Sequence, residues 1–332
     1  MDNNTNIPPK VSVIVPIYGV EKYIERCAES LFRQTLDCIE FIFIDDCTPD
    51  NSMELLEAII RKNRHRFARM RWKVRTEKMS SNSGLHTVRR HGVKLATGDF
   101  VVHCDSDDWI EPNMYRLMYE KAIDEEADAV VCDFNFTDGE KVLKTHSGCS
   151  FTDKYLFIEQ ILYKKNPWTL WNKMFKRTSC YKADIIYPMG NMGEDFVLTT
   201  QLLLNSSKVA YVALPLYNYF YNTSSITRVK TEEIKMNNFH INKANADIVF
   251  EILSAKRLAE RYSQALVSSK WYVKKLLWNT NFDAAKRNLW KDTYKEINKQ
   301  IITSCHISVK EKVKFILTYL FLFPKRGGSS RD

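Results

Sequence analysis

An α/β fold, with a mostly parallel sheet flanked by helices and a helical C-terminal extension, is what this 332-residue sequence predicts. Three observations carry that prediction. β-branched and aromatic runs alternate with stretches of helical period from Lys10 to Phe134. Two of the runs close on acidic clusters, Asp45-Asp46 and Asp105-Ser106-Asp107-Asp108. From Thr231 to about Thr303 the chain lacks the Gly and Pro residues that would stop a helix.

Lys10 to Pro16 (KVSVIVP) and Ile39 to Ile44 (IEFIFI) read as buried strands. Between them Glu21 to Leu36 reads as a helix, with Ile24, Cys27, Ala28, Leu31 and Phe32 forming its apolar stripe. A second helix is expected from about Asn51, capped by Asp50 or Ser52, with Met53, Leu56, Ile59 and Ile60 at helical spacing. Strand, helix, strand, helix is a crossover pattern that sets its strands parallel. It continues with a weak strand at Arg71 to Val74, a helix at Leu85 to Leu95, a strand at Asp99 to Cys104, a helix at Asn113 to Glu125 and a strand at Ala129 to Phe134.

After Gly139 the regularity weakens. Phe151 to Tyr163 and Glu194 to Asn205 read as helices, Leu170 to Lys176 as a short segment, and Val209 to Tyr221 as a strand-like run broken by Pro215. A boundary near residues 225–235 divides an α/β domain, residues 1–230, from a helical basic region, residues 231–332.

Charge is uneven along the chain. It totals +9, yet from Leu253 onward 17 Lys and Arg face 6 Asp and Glu. That asymmetry suggests an anionic partner, a membrane surface or a nucleic acid. Val313 to Pro324 is too short to span a bilayer and carries Lys314. Eight cysteines without a CxxC pair read as free buried thiols in a reducing compartment. The start MDNNTNIPPK has neither a basic segment nor an apolar run of a signal peptide, which places the product in the cytoplasm.

Both acidic clusters follow strand ends, the edge at which open α/β sheets bind ligands. Three carboxylates in four residues repel one another and persist most readily around a hard cation that also takes substrate phosphates. A solvated turn with Asp108 capping the next helix is the plainer alternative. Asp46 can accept an N–H from a base or a ribose hydroxyl, or serve only an Asx turn. Ser83-Gly84 with Arg89 and Arg90 opens a helix that can face phosphate. In Gly193-Glu194-Asp195, Asp195 at a helix start suits a general base and Glu194 an orienting group, though helix capping explains both equally well. Trp168, Trp171, Tyr217, Tyr219 and Tyr221 are candidate sugar-stacking faces or core walls. Neither a P-loop nor GxGxxG occurs.

Pro9 to Tyr18 (PKVSVIVPIY), Ser30 to Leu36 (SLFRQTL), Phe43 to Asp50 (FIDDCTPD) and Ala96 to Phe100 (ATGDF) leading into Asp105-Ser106-Asp107-Asp108 together resemble the family 2 glycosyltransferases of the Rossmann-like GT-A fold. Trp171 to Phe175, Gly193-Glu194-Asp195 and Ser224 to Thr227 resemble motifs of its bacterial capsule and lipopolysaccharide branch. The resemblance covers residues 9–230. It implies an inverting transfer from a nucleotide-sugar, usually a UDP-sugar, to a hydroxyl of a glycan or lipid-linked acceptor in surface polysaccharide synthesis. Carried over by position, Pro16 and Tyr18 line the nucleotide pocket and Asp46 receives the uracil N–H. Asp105 and Asp107 hold Mn2+ or Mg2+, with Ser106 and Asp108 beside the donor. Asp195 is the catalytic base, Arg89 faces donor phosphate, and Trp171, Lys173 and Glu194 face the acceptor or sugar. Val88-Arg89-Arg90 stands where relatives have Ala-Arg-Asn, and Cys47-Thr48 where they have Gly-Ser.

These residues predict a peripheral protein on the cytoplasmic face of the inner membrane, with a homodimer admitted and no nucleic acid as partner. A nucleotidyltransferase, or a basic nucleic-acid-binding module, is the alternative.

Overall fold

The computed structural model describes residues 7–182, 184–221, 231–280 and 283–322. The Ser224 to Thr227 motif, most of the expected domain boundary and Phe323 to Arg326 therefore lie outside the described residues. Two compact units divide the chain, one of residues 1–158 and 166–228, the other of residues 159–165 and 229–332.

The first unit is a nine-stranded sheet with flanking helices. Its N-terminal half runs β1 (Val11–Ile17), α1 (Ile24–Leu31), β2 (Ile39–Asp45), α2 (Ser52–Met70), β3 (Lys73–Lys78), α3 (Leu85–Leu95) and β4 (Phe100–His103). β1 pairs in parallel with β2 on one side and with β4 on the other, and β2 with β3. The parallel direction is the one the crossovers predict. Helix α1 is shorter than its periodicity suggests, because the chain turns at Phe32 and the Gln34 amide instead binds Glu111 O and Tyr115 N at 2.7 and 3.0 Å.

Beyond β4 the sheet mixes directions. β5 (Trp109–Ile110), α4 (Met114–Asp124), β6 (Ala129–Thr137), β7 (Val142–His146), α5 (Lys154–Leu162), β8 (Lys173–Lys176), α6 (Arg177–Cys180), α7 (Glu194–Asn205) and β9 (Val209–Phe220) complete the unit's elements, α5 continuing into the second unit. β8 lies between β4 and β6, antiparallel to both, and the full order is β3-β2-β1-β4-β8-β6-β9-β5 with β7 on β6. Pro215 does not end β9. The register jumps there, with Cys132 opposite Val212 and Asp133 opposite Pro215, so the proline sits at a bulge where its missing N–H is tolerated.

Two close approaches fix the parallel half. A Cβ on Gly92 of α3 would meet Ile14 Cγ2 at 2.4 Å, so α3 lies directly on β1. At the opposite end of the strands Gly98 N donates to Ser12 Oγ at 2.9 Å and Thr97 N to Glu40 Oε2 at 2.9 Å, giving the Ala-Thr-Gly-Asp stretch a structural role.

The second unit holds α8 (Glu232–Ala255), α9 (Ser263–Leu276), α10 (Ala284–Asp292), α11 (Asn298–Thr303) and α12 (Val309–Leu322). Trp271, Trp278, Trp290 and Phe315 pack edge to face or tilted in its core. All eight cysteines are free. Five are buried as expected, whereas Cys47 and Cys149 are partly exposed and Cys305 is on the surface.

Candidate active site

The parallel strands β1, β2 and β4 end on one edge, and backbone hydrogen bonds carry their registers past the strands. Asp46 N donates to Ile17 O and Cys104 N to Ile14 O, both at 3.0 Å. Tyr18, Asp46 and the Asp105–Asp108 turn are thereby brought to that edge. β1 is where strand order reverses, the switch point at which such sheets leave a crevice.

Asp46 is buried, and its carboxylate oxygens accept from Ser83 N at 2.7 Å and Gly84 N at 3.0 Å. The N–H groups expected to face phosphate thus close on a side chain, and the anion at the N-terminus of α3 is Asp46 itself. Pro16 is buried in β1, and Tyr18 is exposed just beyond it. Asp50 ties the neighbouring loop: it accepts from Thr48, Ser52 and Glu21 N, and these bonds hold its carboxyl down at about 2 against the opposing effect of burial.

Arg89 is the hub of the site. Only 2% exposed, it donates from Nη2 to Asp105 Oδ1 at 2.6 Å, and from Nη1 to Glu194 Oε1 at 2.5 Å and Asp195 Oδ1 at 2.7 Å. Where the resemblance implies a guanidinium facing donor phosphate, the structure places Arg89 among three carboxylates. One guanidinium among three carboxylates in a largely buried place favours the protonated form of the most enclosed acid. Burial pushes Glu194, the most enclosed of the three, up to about 8, with Asp195 and Asp105 adding to the rise and Arg89 opposing it. Asp195 is also raised by burial, against the pull of Arg89. It remains 16% exposed, and Asp105 24%.

The acidic turn divides its labour. Asp108 is buried; its Oδ2 accepts from the Tyr217 hydroxyl at 2.7 Å and its Oδ1 from Phe220 N at 2.7 Å. Burial first, then Asp107 and Asp105, push its carboxyl well above the usual range. Both oxygens are thus engaged by β9, and Asp108 fastens that strand to the turn. Ser106 is likewise buried. Asp107 is partly exposed, and its carbonyl accepts from Arg26 at 3.1 Å. Arg26, whose guanidinium lies 3.8 Å from the centroid of the Trp109 ring, carries no signal in the sequence because it stands 81 positions before the turn it contacts.

Three residues expected against the acceptor or sugar are interior. Trp171 stacks on Tyr217 with ring centroids 4.3 Å apart. Lys173 is fully buried; its ammonium donates to Pro167 O, Thr169 O and Asn172 Oδ1, and burial lowers it to about 7. Glu194 is enclosed with Arg89. All three are buried beside the site.

Among the described residues no group of three or more His, Cys, Asp or Glu could hold a metal by itself. The acidic turn fits a cation that takes few protein ligands: Asp105 Oδ2 accepts no hydrogen bond among the described residues, and Asp107 stands one residue beyond a buried serine. Such a donor set suits a divalent ion completed by water and phosphate oxygens.

A family profile, glycosyl transferase family 2, matches residues 12–183. EpsH of Bacillus subtilis (strain 168) is 31% identical over 73% of this chain and 70% of its own. Among solved structures, residues 1–349 of S. aureus TarS in complex with UDP-GlcNAc align with a TM-score of 0.64 at 20% identity, covering 93% of this chain and 81% of that one. The mannosyltransferase PcManGT from Pyrobaculum calidifontis, in complex with GDP-Man and Mn2+, aligns at 0.53 and 13% identity, covering 95% and 86%.

Proposed function

The chain belongs to glycosyl transferase family 2 and is a glycosyltransferase, and from that premise we propose that it transfers a sugar, with inversion, from a UDP-sugar to a hydroxyl of a glycan or lipid-linked acceptor in surface polysaccharide synthesis. The observation that carries this reading is the bridge through Arg89, which sets the acidic turn after β4 and the first residues of α7 in one site.

Asp195 is the base. Its raised basicity and partial exposure suit it to take the acceptor hydroxyl's proton as the new C–O bond forms and the sugar–phosphate bond breaks. Arg89 holds that carboxylate beside Asp105, and burial, which pushes Glu194 up to about 8, limits the negative charge of the cluster. Asp46 and the exposed Tyr18 ring mark the nucleotide end. In this reading base and leaving group act on opposite faces of the anomeric carbon, so a single displacement suffices. Asp105 and Asp107 would hold Mn2+ or Mg2+, which when bound offsets the charge that develops on the departing diphosphate.

The test is titration calorimetry of UDP with manganese present, followed by a nucleotide-sugar panel read by mass spectrometry. Asp107→Ala should weaken UDP uptake by about tenfold or more while leaving the thermal midpoint unchanged. No UDP uptake by the natural chain would refute the donor, and undiminished uptake by Asp107→Ala would remove that residue.

A further inference from the structure

Helix α12 is amphipathic in the wrong sense for a purely structural element. Phe315 is 3% exposed and packs on Trp271 and Trp290. Around the helix from it, Val309, Val313, Ile316, Leu317 and Leu320 recur at i, i+4, i+7, i+8 and i+11, which places them on one stripe. All five are exposed, Val309 by 75% and Leu320 by 61%. Isolated apolar residues on a surface need no explanation, whereas a continuous stripe marks a contact face.

The borders of the stripe are basic. Lys310 and Lys314 flank it on one side and Lys312 on the other, by the same helical geometry. The one acidic residue of the helix is turned to another task, since Glu311 accepts from Lys275 at 2.6 Å and from Ser308 at 3.0 Å. The chain from Leu253 onward carries the excess of 17 basic over 6 acidic residues. Apolar centre and cationic rim are the complement of a bilayer surface with anionic headgroups. A second copy of the same face would bring like charges together at its edges.

We propose that α12 lies in the plane of an anionic lipid bilayer, its Val309–Leu320 stripe in the headgroup boundary and Lys310 and Lys312 against lipid phosphates, while the Lys314 ammonium lies over the Trp278 ring. Its 14 residues extend roughly 21 Å, short of the ~30 Å of a hydrocarbon core, so the helix rests on the membrane and does not cross it. Among the described residues no helix is long and apolar enough to span one. The inference goes beyond the proposed transfer reaction and stands if the donor reading fails.

The full chain is sedimented with vesicles of phosphatidylcholine alone, or with about one part in three of phosphatidylglycerol, at low and high salt. It should pellet with the anionic vesicles, less so at high salt, and stay in solution with the neutral ones. A variant carrying Val313→Ser, Ile316→Ser, Leu317→Ser and Leu320→Ser should bind anionic vesicles about tenfold more weakly or worse, with an unchanged circular dichroism spectrum. A second variant, Lys310→Gln with Lys312→Gln, removes no apolar contact and should weaken binding with a shallower salt dependence. Absence of binding to anionic vesicles, binding by both variants as tight as that of the natural chain, or a dimer of the natural chain that the serine variant dissociates while vesicle binding stays as in the natural chain, would each overturn the proposal.

Discussion

Replacing Arg89 by leucine removes the single cation that three carboxylates share. Taking away one partner of a buried ion pair costs about 3–5 kcal/mol, because the other charge is left without compensation. Here Asp105 is 24% and Asp195 16% exposed and both recover some hydration, while Glu194 recovers almost none. The lower end, about 3 kcal/mol near pH 8, is therefore expected. In a unit of this size that corresponds to a fall in Tm of roughly 6–12 °C.

The pH dependence makes the argument specific. With the guanidinium gone, the Glu194 and Asp195 carboxyls are pushed still further above their unfolded values. A group raised in the folded state contributes stability that is fully present below its unfolded pKa and lost as pH rises through its folded one. The deficit of Arg89→Leu should therefore shrink as pH falls from 8 toward 6. Adding Glu194→Gln should recover part of it at pH 8. In the otherwise natural chain Glu194→Gln alone should flatten the loss of stability that accompanies ionisation of Glu194 near pH 8. Urea unfolding at several pH values reads all four proteins. A deficit under about 1 kcal/mol, or one indifferent to pH, would refute the shared-cation account.

Asp195→Asn should keep UDP binding and lose kcat by about 10²- to 10⁴-fold, and a near-normal kcat would reject its role as base. Because the Asp195 carboxyl is raised and a base must be ionised, kcat should fall on the acid side at a pH above the ordinary aspartate value of 3.8; a rate profile flat down to that value would contradict the assignment. Gly92→Ala gains helix propensity but drives a Cβ to 2.4 Å from Ile14 Cγ2 and 2.9 Å from Ile44 Cδ1. Overpacking of about 1–3 kcal/mol should win, and a more stable variant in urea would show that α3 does not sit so close to the sheet.

What could be read from the sequence divides along a physical line. β1, β2, α3 and α7 announce themselves because each carries its period within its own residues, and parallel order follows from the crossovers. β8 does not. Its four residues, Lys173 to Lys176, have no alternation of their own, and the strand exists because Met174 and Phe175 complete ladders with β4 and β6 from elsewhere in the chain. The same holds at the site: the acidic turn is visible as local charge, but the buried fates of Asp108, Lys173 and Trp171 depend on β9 and on the 167–172 turn folding over them.

Arg89 is the instructive exception, since a local signal was there. On α3 the positions 85, 88, 89 and 92 share one stripe, and Gly92 within it has no room for even a methyl group against β1. An arginine in that stripe is committed to the interior, whereas Arg90, one position round, lies exposed with its guanidinium 4.0 Å from the Tyr187 ring. A buried guanidinium requires carboxylates, and those of Asp105 and Glu194-Asp195 stand at a strand end and a helix start that the same fold turns toward it. The period of α3 thus decides between the two arginines: the one held in the stripe organises the acids, and the one beside it is left free of them.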